Sequence, residues 1–127
     1  MKILITGGAG FIGSHLIEHY QDSADVIVLD DLRTGHRRNL DGLQCRFVEG
    51  SILDRKLLKQ LLEGVDYVFH LAALVSVAES MEQPDQTIEI NARGLLNVLE
   101  AAREAKVKKL VFASSAAVYG EDPLPYK

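Results

Sequence analysis

The sequence predicts a single α/β domain, an open parallel sheet layered between helices, and three observations predict it. Short apolar runs alternate with amphipathic stretches along the whole chain, the pattern of successive βαβ units rather than of separate helical and all-β halves. The first run, Ile3-Leu4-Ile5, passes directly into Thr6-Gly7-Gly8-Ala9-Gly10-Phe11-Ile12-Gly13, which reads as strand, glycine turn and helix start. A second run, Val26-Ile27-Val28-Leu29, closes on Asp30, an acidic residue at the distance where a dinucleotide-binding βαβ unit holds its ribose.

Taken in order, strands are expected at about 2–6, 25–30, 45–49, 66–70 and 108–114, each a short β-branched or apolar run bounded by polar or turn residues. The first helix is expected from Phe11 to Tyr20, with Ile12, Leu16 and Tyr20 on its inward stripe. A second covers Asp54 to Glu63, with Asp54 as N-cap and Leu57, Leu58, Leu61 and Leu62 as the buried face. The longest starts near Pro84, whose fixed φ suits a first turn. It carries Ile88, Asn91, Leu95, Val98, Leu99 and Ala102 inward and ends at Lys106. Lys106, Lys108 and Lys109 are expected to complement that helix end and face solvent. Arg33 to Gly42 reads as a polar loop.

The 127 residues are 47% hydrophobic and 25% charged, enough for one core and one domain spanning 1–127. A net charge of −4 with no basic face argues against nucleic acid, since phosphate-backbone binding needs clustered cations. No apolar run approaches the roughly 20 residues that span a membrane. The single Cys45 precludes an internal disulfide, and Met1-Lys2 leads into a strand without a signal-peptide core. A reducing, cytoplasmic setting is therefore expected.

The glycines are a steric requirement if the ligand is a pyrophosphate. Only backbone without Cβ atoms approaches it closely while a helix N-terminus aims free N–H groups at the charge. On that assignment Gly7 makes the tight turn, Gly10 admits the pyrophosphate, and Gly13 lets the helix lie close to the strand. The alternative is a turn that only packs, but the βαβ context and Asp30 both agree with the fingerprint. The Asp30 carboxylate accepts hydrogen bonds from ribose hydroxyls and opposes a 2′-phosphate by like charge, which favours NAD over NADP. Asp31 can share the acidic role and Leu32 follows it at the same strand end. Against this, Arg33, Arg37 and Arg38 stand close enough in sequence to grip a 2′-phosphate.

His15-Leu16-Ile17-Glu18-His19 spells H-x-x-E-H, a zinc-protease pattern. Its helix is the one opened by the glycine turn and no third ligand is evident nearby, so both histidines read as partly exposed helix residues and no metal is expected.

Four segments together, Thr6 to His15, Val28-Leu29-Asp30-Asp31, His70-Leu71-Ala72-Ala73 and Ser114-Ser115-Ala116-Ala117-Val118-Tyr119-Gly120, resemble the extended short-chain dehydrogenase/reductase family. Within it, they are most similar to UDP-glucose 4-epimerase and its relatives. The resemblance covers the chain in order. It implies a three-layer Rossmann fold with strand order 3-2-1-4-5 and NAD across the carboxyl ends of the strands. Phe11 and Ile12 then lie beside the pyrophosphate, Asp30 on the ribose, Ser51 and Ile52 against the adenine, and Leu71, Ala72 and Ala73 by the nicotinamide half. Asn91 and Ser114 fall at further cofactor positions, and Ser115 at that of the catalytic serine. The implied activity is 4-epimerisation of a UDP-sugar by transient oxidation and re-reduction at C4, in a homodimer. Ala116 and Ala117 stand where related dehydratases place acidic residues.

There are departures. Ser51 stands for the usual aspartate, Val75 for a lysine and Ile90 for an asparagine of the galactose epimerases, which leaves UDP-N-acetylhexosamines and uronates open as substrates. The family's Tyr-x-x-x-Lys pair is missing. Tyr20, Tyr67 and Tyr119 are followed four places on by Ala24, Leu71 and Pro123, and Tyr126 is penultimate. The chain is therefore expected to be the N-terminal part of a longer enzyme, truncated before the last strands and the C-terminal substrate domain. The competing expectations are a free-standing NAD-binding sensor or interaction module, and a nucleotide-sugar dehydratase or reductase of the same family.

Overall fold

Five parallel strands form one sheet in a computed structural model that describes residues 1–120; Tyr126 and Pro123 lie outside the described residues. The strands are β1 (Lys2–Thr6), β2 (Asp25–Asp30), β3 (Arg46–Glu49), β4 (Tyr67–His70) and β5 (Lys109–Phe112), in the order β3-β2-β1-β4-β5. This is the expected order, and each expected strand is present. β1 sits in the middle because Ile3 and its neighbours bond both ways, Ile3 pairing with Val26 on one side and Tyr67 on the other.

The period of two along the strands divides the core. Ile3, Ile5, Val26 and Val28 point to one face, where α1 (Phe11–Tyr20) packs through Ile17. Leu4, Ile27, Leu29 and Val68 point to the other, against Leu58, Leu61 and Leu62 of the second helical region and Val98 and Ala102 further on. Strands apolar on both faces are what a doubly covered parallel sheet requires. Fully burying a Leu, Ile or Val side chain contributes about 1.5–3 kcal/mol, so β1 and β2, buried over nearly their whole length, anchor the domain.

Helix α2 (Arg55–Leu61) begins as expected, with the Asp54 side chain accepting from Leu57 N at 2.9 Å. On α1 the buried residues are Gly13 and Ile17, while Ile12 is 60% exposed. Leu16 and Tyr20 of the expected stripe pack against the core, whereas at its start the glycine at 13 rather than the isoleucine at 12 makes the close contact.

The region after β4 differs more. A short helix, α3 (Val77–Glu82), capped by Ser76, precedes the expected start at Pro84. The long helix itself is broken into α4 (Pro84–Ile88), a π-helical turn at Glu89–Gly94, and α5 (Leu95–Glu104). A π-turn takes up extra chain and rotates the next helical segment relative to a continuous α-helix. Leu99, expected inward, is therefore 43% exposed, and Asn97, Val98 and Ala102 face the core; Ile88, also expected inward, ends α4 before that turn and is 62% exposed. Lys108 also departs from expectation. Its ammonium pairs with Asp66 at 2.7 Å instead of serving the helix end, an ion pair that holds the Asp66 carboxyl below its ordinary range. Among the described residues, no helix is long and apolar enough to cross a membrane.

Candidate functional site: a cleft at the carboxyl ends of the strands

Where β1 ends, the chain must reverse into α1 within four residues. Gly7 does this at φ +72°, with its N–H donating to Leu29 O at 2.8 Å. Any side chain there is doubly excluded, since a Cβ would stand 2.7 Å from Ala72 N. Gly13 answers a different demand from the expected one. Its Cβ would fall 2.5 Å from Gly8 Cα and 2.7 Å from Gly7 O, so it brings the helix against the turn more than against the strand. Gly10 has only Gly7 O, at 3.3 Å, near its would-be Cβ. That side of the turn is open.

The opening is a cleft of about 310 Å³. Gly7, Gly10, Phe11, Ile12 and Gly13 form one wall, Asp30 and Asp31 the end of β2, Ser51 and Ile52 the end beyond β3, and Leu71, Ala72 and Ala73 the side after β4. Twelve expected residues thus meet in one place. Among the described residues α1 has neither a side-chain cap nor an acidic residue in its first turn, so its leading N–H groups and the positive end of its dipole are left for a ligand anion. Phe11, 78% exposed, offers an apolar flank beside them.

Asp30 is fixed rather than free. It is 7% exposed, and its two carboxylate oxygens accept from Ala9 N at 2.9 Å and Leu32 N at 2.8 Å. The first of these bonds ties the acidic residue to the glycine turn, so the two cofactor signals of the sequence are one physical unit. Each oxygen retains a further lone pair for a ribose hydroxyl. The loop after β2 folds back onto the same turn, with Asn39 Nδ2 and His36 N both donating to Ala9 O, at 2.7 and 3.1 Å.

Behind the cleft-lining segment after β4 lies a buried pair, whose Thr6 Oγ1 accepts from Ala72 N at 3.4 Å. Thr6 Oγ1 lies 2.7 Å from His70 Nδ1, and the two residues are 0% and 2% exposed. Burial pushes the imidazole down to about 4, so it is neutral at physiological pH, and its ring stacks on Phe112 at 5.8 Å.

Four expected residues do not line the cleft. Leu32 has its side chain packed on the α1-side core and contributes only its N–H, to Asp30. Asn91 is engaged at both ends of its amide by Leu74, Oδ1 accepting from Leu74 N at 2.8 Å and Nδ2 donating to Leu74 O at 2.9 Å. It shapes the segment after β4 instead of touching the cleft. Ser114 and Ser115 are exposed beyond β5, and Ser115 Oγ accepts from Ala117 N at 3.2 Å as the cap of a 3-10 turn. Conversely, Leu29, Thr34, Gly35 and Gly50 line the cleft without having been singled out, as do Val75 and Ile90, noted only as departures. Gly35 carried a readable signal, a glycine in a polar loop, and it is buried against Ala9. The H-x-x-E-H histidines lie on the exposed side of α1, with His15 Nδ1 2.8 Å from Phe11 O and the His19 ring against Tyr20.

The family model described as the NAD dependent epimerase/dehydratase family matches residues 3–127. The chain belongs to that family. Among curated relatives in this epimerase/dehydratase family, the UDP-glucose 4-epimerase of Lactobacillus helveticus is 45% identical over 94% of this chain and 37% of its own length. Among solved structures, UDP-glucose 4-epimerase from Thermotoga maritima, with UDP-glucose, superposes with a TM-score of 0.87 at 41% identity, covering 97% of this chain and 41% of that one. The Thermus thermophilus enzyme in complex with NAD gives 0.83 at 42% identity, over 98% and 41%. The chain thus spans about two fifths of the length of these relatives.

Proposed function

We propose that this chain is the NAD-binding part of a nucleotide-sugar 4-epimerase of the UDP-hexose class, and that these 127 residues alone hold NAD without turning over a sugar. One observation carries the reading: an uncapped helix start, an open Gly10 and a buried Asp30 face the same cleft and are tied together through Ala9. The residues fit the group. Gly10 and the first turn of α1 would take the pyrophosphate, Asp30 and Asp31 the ribose, Ser51 and Ile52 the adenine, and Leu71 to Ala73 the nicotinamide half. Ser51 Oγ accepts from Leu53 N at 3.1 Å, which leaves its O–H to donate where the family's carboxylate can only accept.

When bound, NAD supplies the two-electron acceptor and donor for the sugar C4. This chain's own part is to orient it and keep water from it. Ser115, exposed and released from its cap at the cost of one weak bond, is the residue to hydrogen-bond the reacting hydroxyl in the whole protein. It cannot act alone, because an aliphatic hydroxyl needs an adjacent base. His70 does not serve, being buried and held by Thr6. The Tyr-x-x-x-Lys pair that would supply the base is absent from the 127 residues. The apolar Val75 and Ile90 on the cleft wall keep UDP-N-acetylhexosamines and uronates beside UDP-glucose as substrates. A cytoplasmic homodimer is the accompanying assignment for the whole protein.

Calorimetric titration of the 127-residue chain with NAD tests the binding, with micromolar affinity expected and none overturning it. Incubation with NAD and UDP-glucose, UDP-N-acetylglucosamine or UDP-glucuronate, followed by NMR for the 4-epimer, tests the chemistry. Enzyme-dependent epimer above background would show the missing pair to be dispensable and end this assignment of the base.

A further inference from the structure

Arg33 is a cation in an acidic neighbourhood. It stands three residues beyond Asp30 at the end of β2, its N–H donates to Asp31 Oδ1 at 3.1 Å, and it lines the cleft. A guanidinium at this end of the second strand is the group that accommodates the 2′-phosphate of NADP, and its fork geometry suits a phosphate well. Yet in Arg33 one arm of that fork is already taken. Its Nη2 donates to Glu79 Oε1 and, at 3.2 Å, to Gln86 Oε1. Both partners come from the far side, Glu79 from the first turn of α3 and Gln86 from α4, more than forty residues away in sequence.

Holding the guanidinium there does two things to the cleft's electrostatics. It offsets the positive charge on the cleft wall that could compensate the Asp30 and Asp31 carboxylates for a 2′-phosphate, and it engages Nη2, one arm of the fork that would bind it. The ribose hydroxyls of NAD need neither. We propose that Glu79, assisted by Gln86, is a specificity-determining residue that sets the preference for NAD by sequestering Arg33. The inference rests on the NAD-binding reading above and adds to it a residue outside the cleft.

Glu79→Gln removes the charge at constant size and leaves the α3 cap, since Ser76 Oγ accepts from the backbone N–H of residue 79. With the 127-residue chain, Kd for NAD and for NADP is measured by calorimetry in wild type, Glu79→Gln, the Glu79→Gln/Gln86→Ala double variant, and each with Arg33→Ala added. Charge-assisted hydrogen bonds set the scale, discounted because both side chains are partly exposed. The NADP-to-NAD ratio of Kd should therefore fall by about tenfold in Glu79→Gln, somewhat more in the double variant, and return when Arg33 is removed. A purely structural tether between the β2 loop and α3 would instead move both affinities together. A ratio unchanged in both variants, or a fall that persists without Arg33, overturns the inference while NAD binding stands. Wild type that prefers NADP, or binds neither dinucleotide, overturns the NAD reading and this inference with it.

Discussion

The middle of the sheet and its β5 edge are built differently. Around β1 and β2, the strands are buried and the turn after β1 is closed by backbone bonds. The acidic residue that would read the ribose is locked to that turn by a 2.9 Å bond. At β5, Val111 and Phe112 are 44% and 50% exposed, and the serines beyond them are exposed as well. The first region is packed and hydrogen-bonded within this chain, whereas the second presents a strand edge and an apolar face without cover among the described residues. The hydrogen-bonded, buried part of the cleft lies at β1 and β2, and the exposed serines lie beyond β5.

Breaking the cofactor end should have the largest effect, and two glycines separate binding from folding. Gly10→Val places a branched side chain on the open face of the turn, where only Gly7 O is near. NAD titration heats should vanish while the melting temperature stays within a few degrees. Gly13→Val instead drives a Cβ to within 2.5 Å of Gly8 Cα, and overpacking against backbone costs about 1–3 kcal/mol or more. It should lower the melting temperature as well as binding. Undiminished NAD affinity in folded Gly10→Val would remove the glycine turn from the site.

The Thr6–His70 pair, which links β1 to its neighbour β4, gives a pH test. With the folded imidazole at about 4 and an ordinary value of 6.5, the unfolded chain binds more protons between those two values. Stability from keeping His70 neutral is thus complete above about pH 6.5 and lost as pH falls toward 4. The shift corresponds to roughly 3 kcal/mol. Urea titrations from about pH 7.5 to about pH 4.5 should show that decline, and His70→Gln, which keeps a hydrogen bond to Thr6 without titrating, should flatten it. An equal slope in the variant would assign the acid lability elsewhere.

Asp30→Ala should weaken NAD by one to two decades, since charge-assisted bonds are worth about 1.5–3 kcal/mol, and it should narrow the gap to NADP. It also leaves Ala9 N and Leu32 N without their acceptor, so some loss of stability is expected in parallel. Asp30→Asn separates the two, keeping one acceptor for those donors while removing the charge.

The same contrast explains what was legible in the sequence. The strands, the three turn glycines and Asp30 were readable from local pattern, period-two burial in β1 and β2 and a glycine spacing dictated by backbone clashes, whereas the strand order and the remaining cleft residues followed from the family resemblance. The region after β4 was not. Nothing in Pro84 to Lys106 marks the π-turn, whose effect is to rotate Ile90 to the cleft and Asn91 onto Leu74, because a continuous apolar stripe fits a regular helix equally well. Nor does a polar loop disclose that Arg33 meets Glu79, a pairing set by tertiary approach alone. Ser115 was identified by likeness of sequence, and its place at an exposed strand end is a matter of what packs over β5.

That edge carries the last and smallest expected effect. Leu110-Val111-Phe112-Ala113 is apolar on both faces, as an interior parallel strand is, yet β5 pairs only with β4 among the described residues. Its outer N–H and C=O groups and the exposed Val111 and Phe112 together favour pairing with another strand. A second copy of the chain offers the same edge, so weak self-association is expected, visible as a rise in apparent mass by light scattering as concentration increases. A charge on an edge strand opposes such pairing. Val111→Lys should therefore hold the chain monomeric at the same concentrations. It should leave the NAD titration near wild type, since Val111 is not among the residues that line the cleft. If wild type is already a monodisperse monomer at high concentration, the β5 edge does not recruit another strand, and the contrast between a buried middle and an exposed edge of the sheet loses its consequence for association.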